Sequence, residues 1–106
     1  MAKYLFKASY TAKGTRGLHK EGGSKRRAAV EELVQGLGGR LEVFYYAFGE
    51  ADVVGIIDVP DHVSAVALSM AVNGTGAAGL KLVVLLTPEE VDQAVKKPAR
   101  FRTSSH

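Results

Sequence analysis

The stretch RLEVFYYAFGEADVVGIIDV, residues 40–59, decides the fold because it holds two strands and the turn that joins them. Residues 40–48 and 53–59 are rich in aromatic and β-branched side chains, which favour strands. The four residues between them, GEAD at 49–52, are enough only for a tight hairpin in which Gly49 supplies a positive φ. The stretch therefore predicts two neighbouring antiparallel strands.

A helix is predicted on each side of this hairpin. On the N-terminal side, apolar residues recur at helical spacing before a pair of glycines: Val30, Leu33, Val34 and Leu37. On the C-terminal side, Asp61 can cap a helix that ends at Asn73 and Gly74. The apolar residues of this second helix have the same spacing: Val63, Val66, Ala67 and Met70.

Two further strands lie outside the helices, at residues 3–10 and 80–87. A short helix follows at TPEE, where Thr87 can act as the cap and Pro88 takes the first helical position. The order βαββαβ is that of an α+β, ferredoxin-like fold. Right-handed crossovers then give a four-stranded antiparallel sheet in the order 4-1-3-2, with both main helices on one face.

The other face of this sheet also carries apolar side chains. Alternation along the second strand places one set on one face, Leu41, Val43, Tyr45 and Ala47, and a second set on the opposite face, Phe44, Tyr46 and Phe48. A sheet that is apolar on both faces exposes a large patch unless something covers it. We therefore expect a homo-oligomer, a dimer or larger, formed through this sheet face.

The composition is that of one globular domain, which we place at residues 1–97, with a flexible tail at 98–106. The absence of cysteine excludes disulfides, thiolate nucleophiles and cysteine-based metal sites. We find neither the features of a secretory signal nor an apolar run long enough for a bilayer, so we expect a cytoplasmic protein without a membrane partner. Several of the basic residues behind the net charge of +3 lie in the C-terminal segment KKPARFRTSSH, so we do not expect a nucleic-acid partner.

Five segments in order resemble the GYD-domain family: FKASYTAKG, KEGGSKRRAAVEELVQGLGG, FYYAFGEADVV, DVPD and LLTPEEV. The resemblance covers roughly residues 4–95 and implies a dimeric α+β barrel, in which two such sheets pack face to face. The family is named for a Gly-x-Tyr-Asp element at the hairpin, which reads Gly49-Glu50-Ala51-Asp52 in this sequence. Since the tyrosine is missing, we interpret Gly49 and Asp52 as turn residues.

The segment KEGGSKRR, residues 20–27, raises the question of what its two glycines do. A phosphate-binding loop needs the spacing G-x-x-x-x-G-K-[ST] directly after a strand, which this segment lacks. Continuing the helical pattern back from Val30 places four residues towards the sheet: His19, Gly22, Gly23 and Arg26. The glycines then either leave room for a pocket or simply kink or split the helix.

In the pocket hypothesis, His19 and Arg26 face Ser9 and Tyr10 across the space left by Gly22 and Gly23. His19 could move a proton near neutral pH, Arg26 could hold a carboxylate or enolate, and Tyr10 could donate to an oxygen. We therefore expect an oligomeric protein that binds or transforms a small acidic or phenolic metabolite, without a bound cofactor. The alternative is a non-catalytic regulatory or structural oligomer without a ligand.

Other kinds of site have weaker support. The three histidines lack the spacing of a metal-binding helix, so we expect no metal site within one chain, while one shared across a dimer stays open. An RNA-recognition domain shares the βαββαβ order, but its main aromatic motif lies on the third strand, and VVGIIDV has no aromatic residue. No catalytic triad or carboxylate pair follows from residue order, and the family resemblance implies only that oxygenase, isomerase or haem chemistry is possible.

Overall fold

A computed structural model describes residues 2–102 of the chain. Within this range it contains four strands and four helices, in the order β1 (Ala2–Tyr10), α1 (Ala12–Glu21), α2 (Gly23–Gly36), β2 (Arg40–Tyr46), β3 (Val53–Val59), α3 (His62–Asn73), β4 (Ala78–Val84) and α4 (Pro88–Val95).

The four strands form one antiparallel sheet in the order β2-β3-β1-β4, which is the predicted order counted from the other edge. The register places Phe6 of β1 opposite Gly55 on β3 and opposite Leu82 on β4. The α+β, ferredoxin-like fold class is thus confirmed.

Both main helices lie on one face of the sheet, because α2 packs on β2 while α3 packs on β3 and β4. The core between these layers contains three side chains with almost no exposed surface, Val34, Ile57 and Val59. We call this side of the sheet the helix face and the other side the open face. Asp61 caps α3 as predicted, since its Oδ1 accepts a hydrogen bond from the Ser64 amide at 2.8 Å.

The segment before α2 is a separate helix that the sequence analysis did not predict. Thr11 caps α1, and its hydroxyl accepts from the Gly14 amide at 3.3 Å. The chain then breaks at Gly22, whose φ of 85° is a left-handed conformation that glycine adopts without strain. Between the two interpretations of the double glycine, the split helix is therefore the one found.

The second strand departs from simple alternation through a β-bulge between Leu41 and Val43. The extra residue turns Leu41 to the same face as Phe44 and Tyr46, so the prediction that Leu41 shares a face with Val43 and Tyr45 is wrong. Phe44 and Tyr46 belong to the helix face, while Tyr45 belongs to the open face and is 68 % exposed.

Two boundaries differ from the predicted ones. Strand β2 ends at Tyr46 rather than residue 48, and the positive φ of the turn belongs to Phe48, at 53°, not to Gly49. Strand β4 spans residues 78–84 rather than 80–87. The cap of α4 is as predicted, since Thr87 and Glu90 form a reciprocal capping box.

Residues 86–102, which we call the C-terminal arm, leave the sheet after β4 and are all exposed. Residues 98–102 of the predicted tail form neither helix nor strand, and residues 103–106, including His106, lie outside the described residues. Among the helices of residues 2–102, none is long and apolar enough to cross a membrane.

Candidate functional site

A cavity of about 240 Å³ lies on the helix face, between α2 and α3 and above the centre of the sheet. Phe6, Ala8, Val53 and Ile57 form its floor. Its walls come from α2, α3, β2, β4 and the loop before β4, and they are mostly apolar: Ala29, Val30, Leu33, Phe44, Leu68, Ala71, Val72, Ala77, Ala78 and Leu80. Many of these side chains are alanines, so the cavity is the space that longer side chains at the same positions would fill.

The polar groups of the cavity belong to Tyr10, Arg26 and Thr75. Arg26 is the one charged residue among the described residues that line it, and its side chain is only 29 % exposed. Its Nη1 donates to Glu21 Oε1 at 3.1 Å, so this ion pair joins α2 to the last residue of α1 across the break at Gly22. An anion in the cavity would thus meet a guanidinium that the ion pair with Glu21 already holds in place.

The two glycines of the break have different roles. A Cβ on Gly22 would meet nothing within 4 Å, whereas a Cβ on Gly23 would lie 3.1 Å from Cε2 of Tyr46. The Tyr46 hydroxyl donates to the Gly23 carbonyl oxygen at 2.9 Å. Gly22 therefore serves the path of the chain, and Gly23 leaves room for the Tyr46 ring, which holds the start of α2 against β2.

The environment of Tyr46 makes its ionisation unfavourable. Burial, with a smaller effect of the neighbouring Tyr10, raises the pKa of Tyr46 to about 12 from the ordinary 10.0. The folded state holds this proton more tightly than the unfolded chain, so protonated Tyr46 contributes to the stability of the fold. This contribution is fully present below pH 10 and is lost as the pH rises towards 12.

We therefore expect the free energy of unfolding to fall by about 2 kcal/mol between these pH values through Tyr46. Chemical denaturation monitored by circular dichroism across this range measures it. Tyr46→Phe should reduce the decline of the free energy of unfolding with pH. Tyr45→Phe, at the exposed neighbouring position, should show the same decline as the wild type. An equal slope in the wild type and in Tyr46→Phe would contradict the assignment.

The hairpin is tied to the end of β1 by Asp52. Its Oδ2 accepts from the Tyr10 amide at 2.7 Å, and its own amide donates to the Ala8 carbonyl oxygen at 2.9 Å. These bonds place Tyr10 beside the cavity, so Asp52 has the structural role predicted for it. Gly49 also takes part in the turn, through its amide, which donates to the Ala51 carbonyl oxygen at 3.1 Å.

Of the predicted site residues, the structure brings Tyr10 and Arg26 together at one cavity. Ser9 does not join them, because strand alternation turns it to the open face, where it lines a second concavity with Lys7 and Lys81. His19 is exposed near the end of α1 and does not line the cavity. Gly22 and Gly23 form the break between α1 and α2 and do not line it either.

Most of the cavity wall could not be predicted from the sequence. The sequence places Phe44 on one face of a strand and Leu33 on the apolar side of a helix, but its pattern singles out neither Val72 nor the alanines of the wall. The available signal was the small size of Ala29 on α2 and Ala71 on α3, since small side chains on both helices leave the space between them unfilled.

The family model for the GYD domain matches residues 4–95, nearly the whole described chain. The chain belongs to the GYD-domain family. No curated protein and no solved structure gave a significant match.

In this GYD domain the Gly-x-Tyr-Asp element is the β2–β3 hairpin. Ala51, at the tyrosine position, is half-buried and lines the concavity on the open face together with Glu50. The cavity on the helix face is lined by other elements, so the missing tyrosine does not alter its walls.

The cavity offers few groups that could transfer a proton. Its lining residues within the described chain include no histidine and no carboxylate that could move a proton, so the acid–base role suggested for His19 has no geometric support there. His62 is engaged elsewhere, since its Nδ1 is hydrogen-bonded to the Tyr4 hydroxyl. Residues 2–102 contain no group of three or more side chains suited to hold a metal ion.

A nucleic-acid platform also lacks support on the open face. The aromatic side chains Tyr4, Phe6, Phe44 and Tyr46 all belong to the helix face, as their register shows. Tyr45 is the one aromatic residue that the described strands present on the open face, whereas stacking of successive bases needs two or three.

Proposed function

We propose that this GYD-domain protein binds a small apolar molecule with one anionic group, a carboxylate or a phenolate, in the cavity between α2, α3 and the sheet. The observation that supports this proposal is an apolar cavity whose one charged lining residue, within the described chain, is the half-buried Arg26. Apolar walls with a few convergent polar groups are typical of small-ligand sites.

The volume of the cavity indicates the size of the molecule that it can hold. An apolar cavity of about 150 Å³ can hold benzene. The 240 Å³ found here therefore suits one ring, or a short branched chain, with a small polar substituent. The substituent would lie towards Arg26 and Tyr10, and the apolar part would lie above Phe6 and Ile57.

Arg26 is suited to an anion because a guanidinium forms short, strong hydrogen bonds with carboxylates and cannot lose its charge. Its pair with Glu21 does not prevent this, since Glu21 is on the surface with 45 % of its side chain exposed. A bound carboxylate would either replace Glu21 or share the guanidinium with it.

Binding of phenylacetate, compared with its neutral amide, tests the proposal. We expect phenylacetate to raise the melting temperature and to bind more tightly than phenylacetamide. Arg26→Gln should weaken the binding of phenylacetate about 10- to 100-fold, because a hydrogen bond to a charged group contributes about 1.5–3 kcal/mol. The same variant should bind phenylacetamide with nearly unchanged affinity. Calorimetric titration gives the dissociation constants of both compounds.

Arg27→Gln is the matched control, because Arg27 is the next residue on α2, is exposed and does not line the cavity. It should bind phenylacetate as the wild type does. Equal losses in the two arginine variants would show a general charge effect. A failure of apolar carboxylates and phenols of this size to bind would refute the proposal.

An oligomeric role is a second proposal, carried by the open face. Val83 and Tyr45 are 45 % and 68 % exposed there, and Leu5, Val54 and Ile56 share this face with them. We propose that a second copy of the chain covers this apolar centre, which is compatible with ligand binding because the cavity lies on the opposite face. A protein that only assembles, without a ligand, is the alternative if the titrations fail.

A further inference from the structure

The start of α1 is fixed against the loop before β4, residues 74–77. The Thr11 amide donates to the Ala77 carbonyl oxygen at 3.0 Å, and the Thr11 hydroxyl donates to the Gly76 carbonyl oxygen at 2.8 Å. Gly14 packs so closely against this loop that a Cβ on it would lie 1.9 Å from the Ala77 carbonyl oxygen. Because Ala77 lines the cavity, α1 begins at the edge of the cavity.

Lys13 is the charged residue that this contact places beside the cavity. Its Nζ donates to the Thr75 carbonyl oxygen at 3.3 Å, and Thr75 is one of the lining residues. A lysine ammonium group has three N–H donors, so two remain for other partners. Within the described chain, Lys13 forms no ion pair. Its charge is therefore available to an anion at the edge of the cavity.

The hydroxyl of Thr75, by contrast, is already used within the loop. It donates to the Val72 carbonyl oxygen at 2.8 Å and accepts from the Ala77 amide at 3.0 Å. A hydroxyl has one proton to donate, so none is left for a ligand. Since Arg26 and Tyr10 would hold the first anionic group of a ligand, a second anionic group at this end would find its donor in Lys13.

The chain around this end of the cavity is strongly basic. Residues 11–30 contain one acidic residue, Glu21, and its carboxylate is paired with Arg26. The same segment contains six basic residues: Lys13, Arg16, Lys20, Lys25, Arg26 and Arg27. A surface with an excess of one sign of charge attracts ligands of the opposite sign. This end of the molecule therefore favours a ligand with two negative charges over a ligand with one.

We propose that the ligand of the cavity is a dicarboxylate with one apolar group, and that Lys13 selects for its second carboxylate. The apolar group lies above Phe6 and Ile57. One carboxylate binds Arg26 and Tyr10, and the other binds Lys13 outside the apolar walls. This inference rests on the proposed function and extends the ligand from one anionic group to two.

Two ligands that differ by one charge test the inference. Phenylsuccinate is a dicarboxylate, and 2-phenylbutyrate has the same skeleton with a methyl group in place of the second carboxylate. Calorimetric titration of the wild type should give a dissociation constant about fivefold lower for phenylsuccinate than for 2-phenylbutyrate. This preference corresponds to the upper end of what an exposed charge pair contributes.

Lys13→Gln should remove the preference for phenylsuccinate and leave the affinity for 2-phenylbutyrate nearly unchanged. The unchanged affinity would also show that the variant is folded and that its cavity is intact. Lys13→Arg keeps the charge and should retain most of the preference. Lys20→Gln is the matched control, because Lys20 is exposed on the same helix about two turns from Lys13. This control should show the preference of the wild type.

The outcomes separate this inference from the proposed function. If the wild type binds 2-phenylbutyrate through Arg26 without preferring phenylsuccinate, the cavity is a binding site but the role of Lys13 is wrong. Equal losses of preference in Lys13→Gln and Lys20→Gln would show a general charge effect and would also overturn the inference. A wild type that binds neither acid overturns it as well, and the phenylacetate titration then shows whether the proposed function fails with it.

Discussion

Gly55→Ala should largely prevent folding. A Cβ at this position in β3 would lie 2.2 Å from the Val43 carbonyl oxygen and 2.4 Å from two ring atoms of Phe6. The oxygen belongs to the backbone of the neighbouring strand, so no change of rotamer relieves the contact. We expect a loss of at least about 3 kcal/mol, the upper part of the usual cost of overpacking and a large share of a small domain's stability.

Gly79→Ala is the matched control for this prediction. Gly79 is also a strand glycine, but it lies on the edge strand β4, and a Cβ there would meet nothing within 4 Å. Alanine should leave stability unchanged or raise it by up to about 1 kcal/mol, since it restricts the unfolded chain. Urea denaturation followed by circular dichroism compares the variants, and equal midpoints would show that the sheet accommodates the added methyl group.

Tyr45→Asp should dissociate the assembly that we propose. Tyr45 lies opposite Val54 on the open face, so a second copy that covers this face would bury the new carboxylate without a partner. We expect the dissociation constant to rise at least about 100-fold, equivalent to about 2.7 kcal/mol. Light scattering coupled to size-exclusion chromatography would detect the change as a shift from dimer to monomer.

Phe48→Asp is the control for the assembly. Phe48 is as exposed as Tyr45, at 67 %, but it lies in the hairpin beyond the end of β2. Its positive φ is one that aspartate tolerates. This variant should remain a dimer. If Phe48→Asp dissociates the protein as much as Tyr45→Asp does, the contact is at the hairpin rather than on the open face.

Much of the fold could be predicted from the sequence because its signals are local. The caps Asp61 and Thr87, and the helical spacing of Val30, Leu33 and Leu37, act within one or two turns of chain. The strand order then follows from the handedness of the two crossovers. The site could be predicted only in part, and Tyr10 and Arg26 are the two candidates that the cavity brings together.

The sequence by itself thus determined the kinds of element, their order and the sheet topology, since each depends on neighbouring residues or on chain connectivity. Tertiary structure decided which side chains share a face and where space remains. The bulge after Leu41 turns the Leu41 side chain to the helix face, and alternation along β1 puts Ser9 and Tyr10 on opposite faces of the sheet. The break at Gly22 leaves His19 exposed to solvent. The cavity exists because α2 and α3 pack on different strands, and distances between such separate elements are not encoded in local spacing.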